Sequence, residues 1–247
     1  MKIYELSQIG EFHVNHNEDF KVVEDTGKHY KLIAVMDGCS SGTDSHLAST
    51  LIGKILRKLA KQEAYREYAT EQPTPIKELV ESLALSLFSD LQMLNNQLDL
   101  ASDEILSTII LGVVDTKNRQ AELIIAGDGV VHIDGQSIEY ENDSKPDYIG
   151  YHLKMDKHLW LQTRTHRKSI PRFTDLSIST DGVHTFKNFD GKSYNKIESG
   201  SILHEFLESR QFEENENKLK KTMLKMEEEF GLKPSDDLTI IRVILSD

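Results

Sequence analysis

The stretch Lys31-Leu32-Ile33-Ala34-Val35-Met36-Asp37-Gly38-Cys39-Ser40-Ser41-Gly42 decides how the rest of the chain is read: an apolar run ends abruptly in an acid, a glycine and small residues. A run of this length bounded by turn residues reads as a buried strand, and a carboxylate at its tip is aimed by the rigid sheet behind it. The glycines and serines that follow let the backbone approach a ligand closely or turn sharply into a helix. Asp-Gly is also a common tight turn, and the chain holds that plainer form too. Asp134-Gly135 lies between Val130-Val131-His132-Ile133 and Gln136-Ser137-Ile138-Glu139-Tyr140 and reads as an ordinary hairpin. The meaning of Asp37 therefore has to come from residues elsewhere.

Outward from this run, residues 3–9 and 20–23 read as strands. From about Thr43 the positions Leu47, Leu51, Ile55, Leu56 and Leu59 recur at three- and four-residue steps, which predicts an amphipathic helix covering a sheet. Gln72-Pro73-Thr74-Pro75 interrupts it, with Thr74 the expected N-cap and Pro75 the first residue of a second helix bearing Ile76, Leu79, Val80, Leu83, Leu87, Leu91 and Leu94 on one face. A strand-rich block begins at Ile105, turns at Thr116-Lys117-Asn118-Arg119 and returns along residues 121–126. Residues 148–170 are less periodic, with 158–163 read as a further strand. Residues 202–207 and 213–230 read as helices, the latter stopped by Gly231, and residues 238–245 as a strand preceded by two acids. This order predicts an α+β fold of layers with antiparallel sheets, and the lack of a linker or repeat predicts one domain over residues 1–247.

Composition narrows the function. A formal net charge of -12 argues against a broad electrostatic grip on nucleic acid or an anionic membrane, both of which want clustered Lys and Arg. Surplus carboxylates either keep a protein soluble or gather around a hard cation such as magnesium or manganese. The single cysteine, Cys39, rules out an intramolecular disulfide and a Cys-rich zinc site, and it is expected to be packed rather than nucleophilic. The sequence Met1-Lys2-Ile3-Tyr4-Glu5-Leu6-Ser7 has no signal-peptide apolar core, and no run reaches the roughly 20 apolar residues of a membrane span, so a cytoplasmic location is expected.

Four acidic points stand out: Asn17-Glu18-Asp19, Asp37-Gly38, Thr180-Asp181-Gly182 and Asp236-Asp237. Each adjoins an apolar strand, and strand ends from distant segments can converge at one edge of a layered fold, where carboxylates repel unless a cation neutralises them. With Ser107-Thr108 and Ala126-Gly127-Asp128, the ordered set resembles the metal-dependent serine/threonine phosphatases of the protein phosphatase 2C family in their bacterial form, over essentially the whole chain. The resemblance implies a four-layer α/β/β/α sandwich of two antiparallel sheets. It also implies two Mn2+ or Mg2+ ions, bridged by Asp37, with Glu18 and the Gly38 carbonyl completing one and Asp181 and Asp236 holding the other. Asp128 offers a place for a third. The implied reaction is hydrolysis of phosphoserine or phosphothreonine in a phosphoprotein, opposite a serine/threonine kinase, by a water activated between the ions.

The pattern departs from the family at the phosphate grip. The family's arginine, four residues before the motif glutamate, is Val14 here, and valine cannot provide the bidentate fit of a guanidinium. His13, His16, Arg164, Arg167 and Arg172 are the residues that could substitute. The usual partner of Asp128 is replaced by Thr185, and residues 148–172, with the basic cluster Arg164-Thr165-His166-Arg167-Lys168, occupy the place of the family's variable flap. A catalytically degenerate relative that binds or senses a partner is the alternative reading.

Overall fold

The computed structural model describes residues 1–43, 46–141 and 145–245. Strands β1 (Lys2–Gln8), β2 (Phe20–Asp25) and β3 (Tyr30–Met36) lead into helices α1 (His46–Thr70) and α2 (Ile76–Leu98). Strands β4 (Ile109–Asp115), β5 (Gln120–Ala126), β6 (Gly129–Ile133) and β7 (Gln136–Tyr140) follow, then α3 (Lys157–Thr163), β8 (His166–Ile170) and β9 (Asp175–Ser179). The short strand β10 (Phe186–Asn188) precedes α4 (Ser199–Leu207) and α5 (Lys218–Phe230); β11 (Leu232–Pro234) pairs with β10, and β12 (Leu238–Ile244) comes last. No helix of the described residues is long and apolar enough to cross a membrane.

Two five-stranded sheets, ordered β1-β12-β9-β6-β7 and β2-β3-β4-β5-β8, stack face to face, and every strand pairing within them is antiparallel. The near-continuous apolar run of β3 follows from this stacking. Leu32, Ala34 and Met36 pack with the apolar faces of α1 and α2, whereas Ile33 and Val35 meet Ile178, Ile241 and Val243 of the opposite sheet. A strand buried on both faces has no use for polar alternation. Each fully buried Leu or Met side chain contributes about 1.5–3 kcal/mol of transfer free energy. Helices α4 and α5 cover the outer face of the other sheet through Phe206, Leu207, Leu219 and Met226. The result is the expected four-layer α/β/β/α sandwich.

Local differences from the sequence reading have physical causes. Residues 158–163 are helical, within α3, because the Asp156 carboxylate accepts the His158 and Leu159 amides and caps the turn, while Trp160 stacks on Phe88 at 4.5 Å. Seven residues are too few for a helical period to show. Helix α2 starts one residue later than expected: Pro75 is its N-cap, and the Thr74 hydroxyl donates to Glu63 instead of capping. Strand β4 begins at Ile109 rather than Ile105, since residues 106–108 are tied to residues 37–39 outside the regular ladder. Helix α5 begins at Lys218 rather than at 213, because Phe212 has a positive φ of 63° and residues 213–217 form turns.

The most constrained polar group is Arg242, which is fully buried on β12. All five of its N–H groups are used. Nε and Nη2 donate to the Asp175 carboxylate at 2.9 and 2.6 Å, and the remaining bonds go to the carbonyls of Phe206, Ser209 and Glu208 at the end of α4. One side chain thereby neutralises a buried acid and caps a helix C-terminus. Arg242→Met strands these carbonyls and leaves Asp175 only its longer pair with the half-exposed Arg210 at 3.2 Å, and is expected to lower unfolding free energy by about 3 kcal/mol in urea titration. Adding Asp175→Asn should recover part of that loss.

Candidate active site

Strand register brings the acidic points to one end of the sandwich. Asp37 follows the last residue of β3, beside Glu18 and Asp19 just ahead of β2, because Phe20 pairs with Met36. Asp128 lies between β5 and β6 at the same end, since Ala126 pairs with Ile109, the first residue of β4. Asp181 follows β9 and Asp236 precedes β12, where Ser179 pairs with Ile240. The structure thus collects Glu18, Asp37, Gly38, Asp128, Asp181 and Asp236 on neighbouring strand ends.

Backbone ties fix each segment. The Gly38 amide donates to the Glu18 carbonyl at 3.1 Å, and Ser49 of α1 donates its hydroxyl to the same carbonyl. Thr108 donates its amide to the Asp37 carbonyl at 2.9 Å and accepts the Asp37 amide on its hydroxyl at 3.3 Å. Ser107-Thr108 is therefore a buckle: the Ser107 carbonyl also accepts the Ile149 amide and so anchors the segment that carries Tyr148. Asp237, nearly fully buried, accepts the amides of Gly10 and Glu18, stitching the loop before β2 to β12. A Cβ on Gly182 would overlap the Asp237 carbonyl, so glycine is required there for close backbone approach rather than for a turn.

The electrostatics of this end are unusual. Burial, and then the charges of Asp19, Asp181, Asp236 and Asp128, push the Asp37 carboxyl well above the usual carboxylate range. Burial raises Asp19 to about 8 despite the hydrogen bond from Thr180, and burial with Asp181 raises Asp128 to about 7. Asp181 is raised by burial and by Asp236. One oxygen of Asp19 accepts the Thr180 hydroxyl at 2.8 Å, while Oδ1 is buried with no hydrogen-bond partner. Such a donor set fits a hard divalent cation, which would supply the missing positive charge. Among the described residues, however, no three His, Cys, Asp or Glu side chains close around one point as a ready-made cage.

The residues weighed for the phosphate grip are dispersed. Val14 is 88 % exposed and turned to solvent. His13 occupies the mouth: its Nδ1 lies 2.9 Å from the Asp237 carboxylate and its Nε2 lies 3.5 Å from Asp236 and 3.4 Å from the Ser40 hydroxyl. Burial alone would lower its pKa, but Asp237, Glu18 and Asp236 together raise it above the ordinary imidazole value. His16 stacks on His46 at 4.3 Å near the start of α1. The arginines go elsewhere: Arg167 pairs with Glu81 of α2, Arg164 faces Asp147, and Arg172 lies in a groove with Gln136 and Ile138. Of the variable segment, Tyr148 reaches this region, where it packs with Cys39 and Leu106; burial and the Cys39 thiol raise its phenol.

Sequence reasoning assigned no role to Asp19, Asp237 or Thr180. Asp19 and Asp237 stood within quoted motifs, but nothing in a dipeptide tells which of two neighbouring acids faces inward. That distinction depends on whether the next strand begins on an inward or outward position.

The family profile of protein phosphatase 2C matches residues 14–225. No curated protein matches the chain in sequence. Among solved structures, a bacterial serine phosphatase superposes with a TM-score of 0.66 at 12% identity, covering 100% of this chain and 98% of that one. The serine/threonine phosphatase Stp1 from Staphylococcus aureus gives 0.63 at 13% identity, with 99% and 95% covered. RsbX in complex with magnesium gives 0.51 at 18% identity, with 99% and 94% covered.

The raised carboxyls set a pH dependence. Carboxyls that titrate near 3.8 when unfolded but at about 7 and 8 when folded bind more protons in the native state throughout that window. Metal-free stability should therefore be greatest at the acid end and fall as pH rises from about 4 to about 8. The thermal midpoint in chelator is expected to drop by several degrees between pH 5.5 and pH 8, and millimolar Mn2+ should flatten or reverse that slope, because cations bind the deprotonated ligands.

Proposed function

The chain belongs to the protein phosphatase 2C family, and on that premise we propose that it hydrolyses phosphoserine and phosphothreonine in cytoplasmic phosphoproteins, opposing a serine/threonine kinase. The observation that carries the reading is the convergence of Asp37 with Asp19, Asp128, Asp181 and Asp236, each raising the Asp37 carboxyl. Acids crowded together, with no Lys or Arg among the described residues between them and His13 only at their margin, are an arrangement that gains little without a cation.

In this reading Asp37, Glu18, the Gly38 carbonyl, Asp181 and Asp236 would hold two divalent ions, and Asp128 would be available to a third. Mn2+ or Mg2+ bound there would acidify a water for in-line attack and offset phosphoryl charge. The chain's own contribution is positional. Thr108 and Glu18 fix the backbone at Asp37 and Gly38, and Asp237 orients the Glu18 segment. His13, beside Ser40 at the mouth, is placed to donate to a phosphate oxygen when its ring carries a proton on Nε2. The alternative, a degenerate binding module, draws support from Val14, where no guanidinium grips the phosphate.

Purified protein should hydrolyse an aryl phosphate only with added Mn2+ or Mg2+, and Asp37→Asn should reduce kcat at least about a hundredfold while leaving the circular dichroism spectrum unchanged. Full activity in excess chelator would sink the mechanism, and inactivity with every metal would favour the binding module. Val14→Arg should lower KM for a phosphopeptide about tenfold by restoring a bidentate contact.

A further inference from the structure

A groove of about 340 Å3 opens along one side of the sandwich, at the margin of the core between the sheets. It lies between β7 and β8, the outermost strands of their two sheets. Its walls include the apolar side chains Ile133, Ile138, Ile170 and Pro171, and its charges are Lys168, Arg172 and Asp134. The acid is already consumed: the Asp134 carboxylate accepts the Thr174 hydroxyl and the amides of Thr174 and Asp175. The two cations are not, because neither Lys168 nor Arg172 has an ion-pair partner among the described residues.

Strand geometry explains why Lys168 faces inward. On β8, Arg167 points out to Glu81 of α2 and Ser169 to Glu122, so the alternate positions 166, 168 and 170 face the space between the sheets. Ile170 there joins the core between the sheets, His166 meets the Tyr140 ring at 5.4 Å, and Lys168 lies between them. An unpaired ammonium on the inner face of an edge strand deters indiscriminate strand addition and admits a strand of complementary charge. On a chain of net charge -12 this concentration of free positive charge beside apolar side chains stands apart.

The groove also has a direction. Tyr140, at the end of β7, pairs with Gly129, next to Asp128 of the carboxylate cluster, whereas Arg172 and Gln136 mark the far end. We infer that this groove docks an extended acidic segment of the phosphoprotein substrate, alternating apolar and acidic residues, about five residues long at ~3.4 Å per residue. Its apolar positions meet Ile133 and Ile138, over the buried Ile170, and its acids meet Lys168 and Arg172. The segment tethers the substrate so that its phosphate is delivered at the Asp128 end. This rests on the phosphatase reading above for the identity of the occupant.

The test uses the full chain with Mn2+ and two phosphoserine peptides that differ only in a five-residue tail, alternating isoleucine with glutamate in one and with lysine in the other. The wild type should favour the glutamate tail about tenfold in kcat/KM at low salt, and the preference should shrink as salt is raised. Lys168→Glu with Arg172→Glu should abolish or invert it while aryl phosphate hydrolysis is unchanged. Lys168→Gln with Arg172→Gln serves if charge reversal prevents folding, and should remove most of the preference. No preference in the wild type, or one that survives in the variants, overturns the docking site. Binding of the unphosphorylated glutamate-tailed peptide, read by fluorescence anisotropy, tests the groove even if no phosphatase activity is found. An equal response to a single-stranded oligonucleotide, or a dimer that dissociates in the variants, would assign the groove to another occupant and overturn the inference.

Discussion

Mutual repulsion among carboxylates that share one partly desolvated edge is the constraint on which the rest of this molecule depends. Left to themselves, Asp19, Asp37, Asp128 and Asp181 would move apart or keep their protons; burial first, and then their neighbours' charges, raise their titration. The fold opposes it chiefly with backbone hydrogen bonds, and His13 adds a counter-charge only at the margin, beside Asp237 and Asp236. Strand ends are held by amide-to-carbonyl ties at Gly38 and Thr108, and Asp237 spends its carboxylate on amides. Each acid can relax by side-chain rotation, but its Cα cannot retreat.

Stability must then come from other parts of the structure. It comes from strands such as β3, buried on both faces, and from the opposite treatment of charge at Asp175. There an acid and Arg242 are buried together with every guanidinium donor used. The contrast separates two uses of the same residue type. A compensated buried acid is part of the scaffold, whereas an uncompensated cluster held by rigid strands is prepared for a ligand.

Much of this was legible in the sequence because it rests on periodicity and on strand ends. The apolar run before Asp37, the hairpin at Asp134-Gly135, the helical hairpin α1–α2 and the stop at Gly231 all announced themselves through spacing or through residues that adopt positive φ. Elements defined by one cap or one long-range contact did not. Helix α3 depends on Asp156 and on a stacking partner, Phe88, about seventy residues away in sequence, and α5 loses its first turns to the conformation of Phe212. At the site, which acids approach one another could be argued from motif order, but the inward aim of Asp19 and the seat of His13 beside Asp237 are properties of register, invisible in composition.

Strand β12 sits inside its sheet, flanked by β1 from the opposite end of the sequence and by β9, and it follows directly on Asp236 and Asp237. During synthesis β1 waits without β12, its one sheet neighbour among the described residues, while more than two hundred residues emerge, and the gap between β1 and β9 closes when β12 arrives. Such long-range pairing is slow to form and leaves strand edges open in the interval. The same strand that completes the sheet also delivers the last acids to the cluster. Assembly of the sandwich and assembly of the carboxylate cluster are therefore one event, and a chain that lacks β12 has neither.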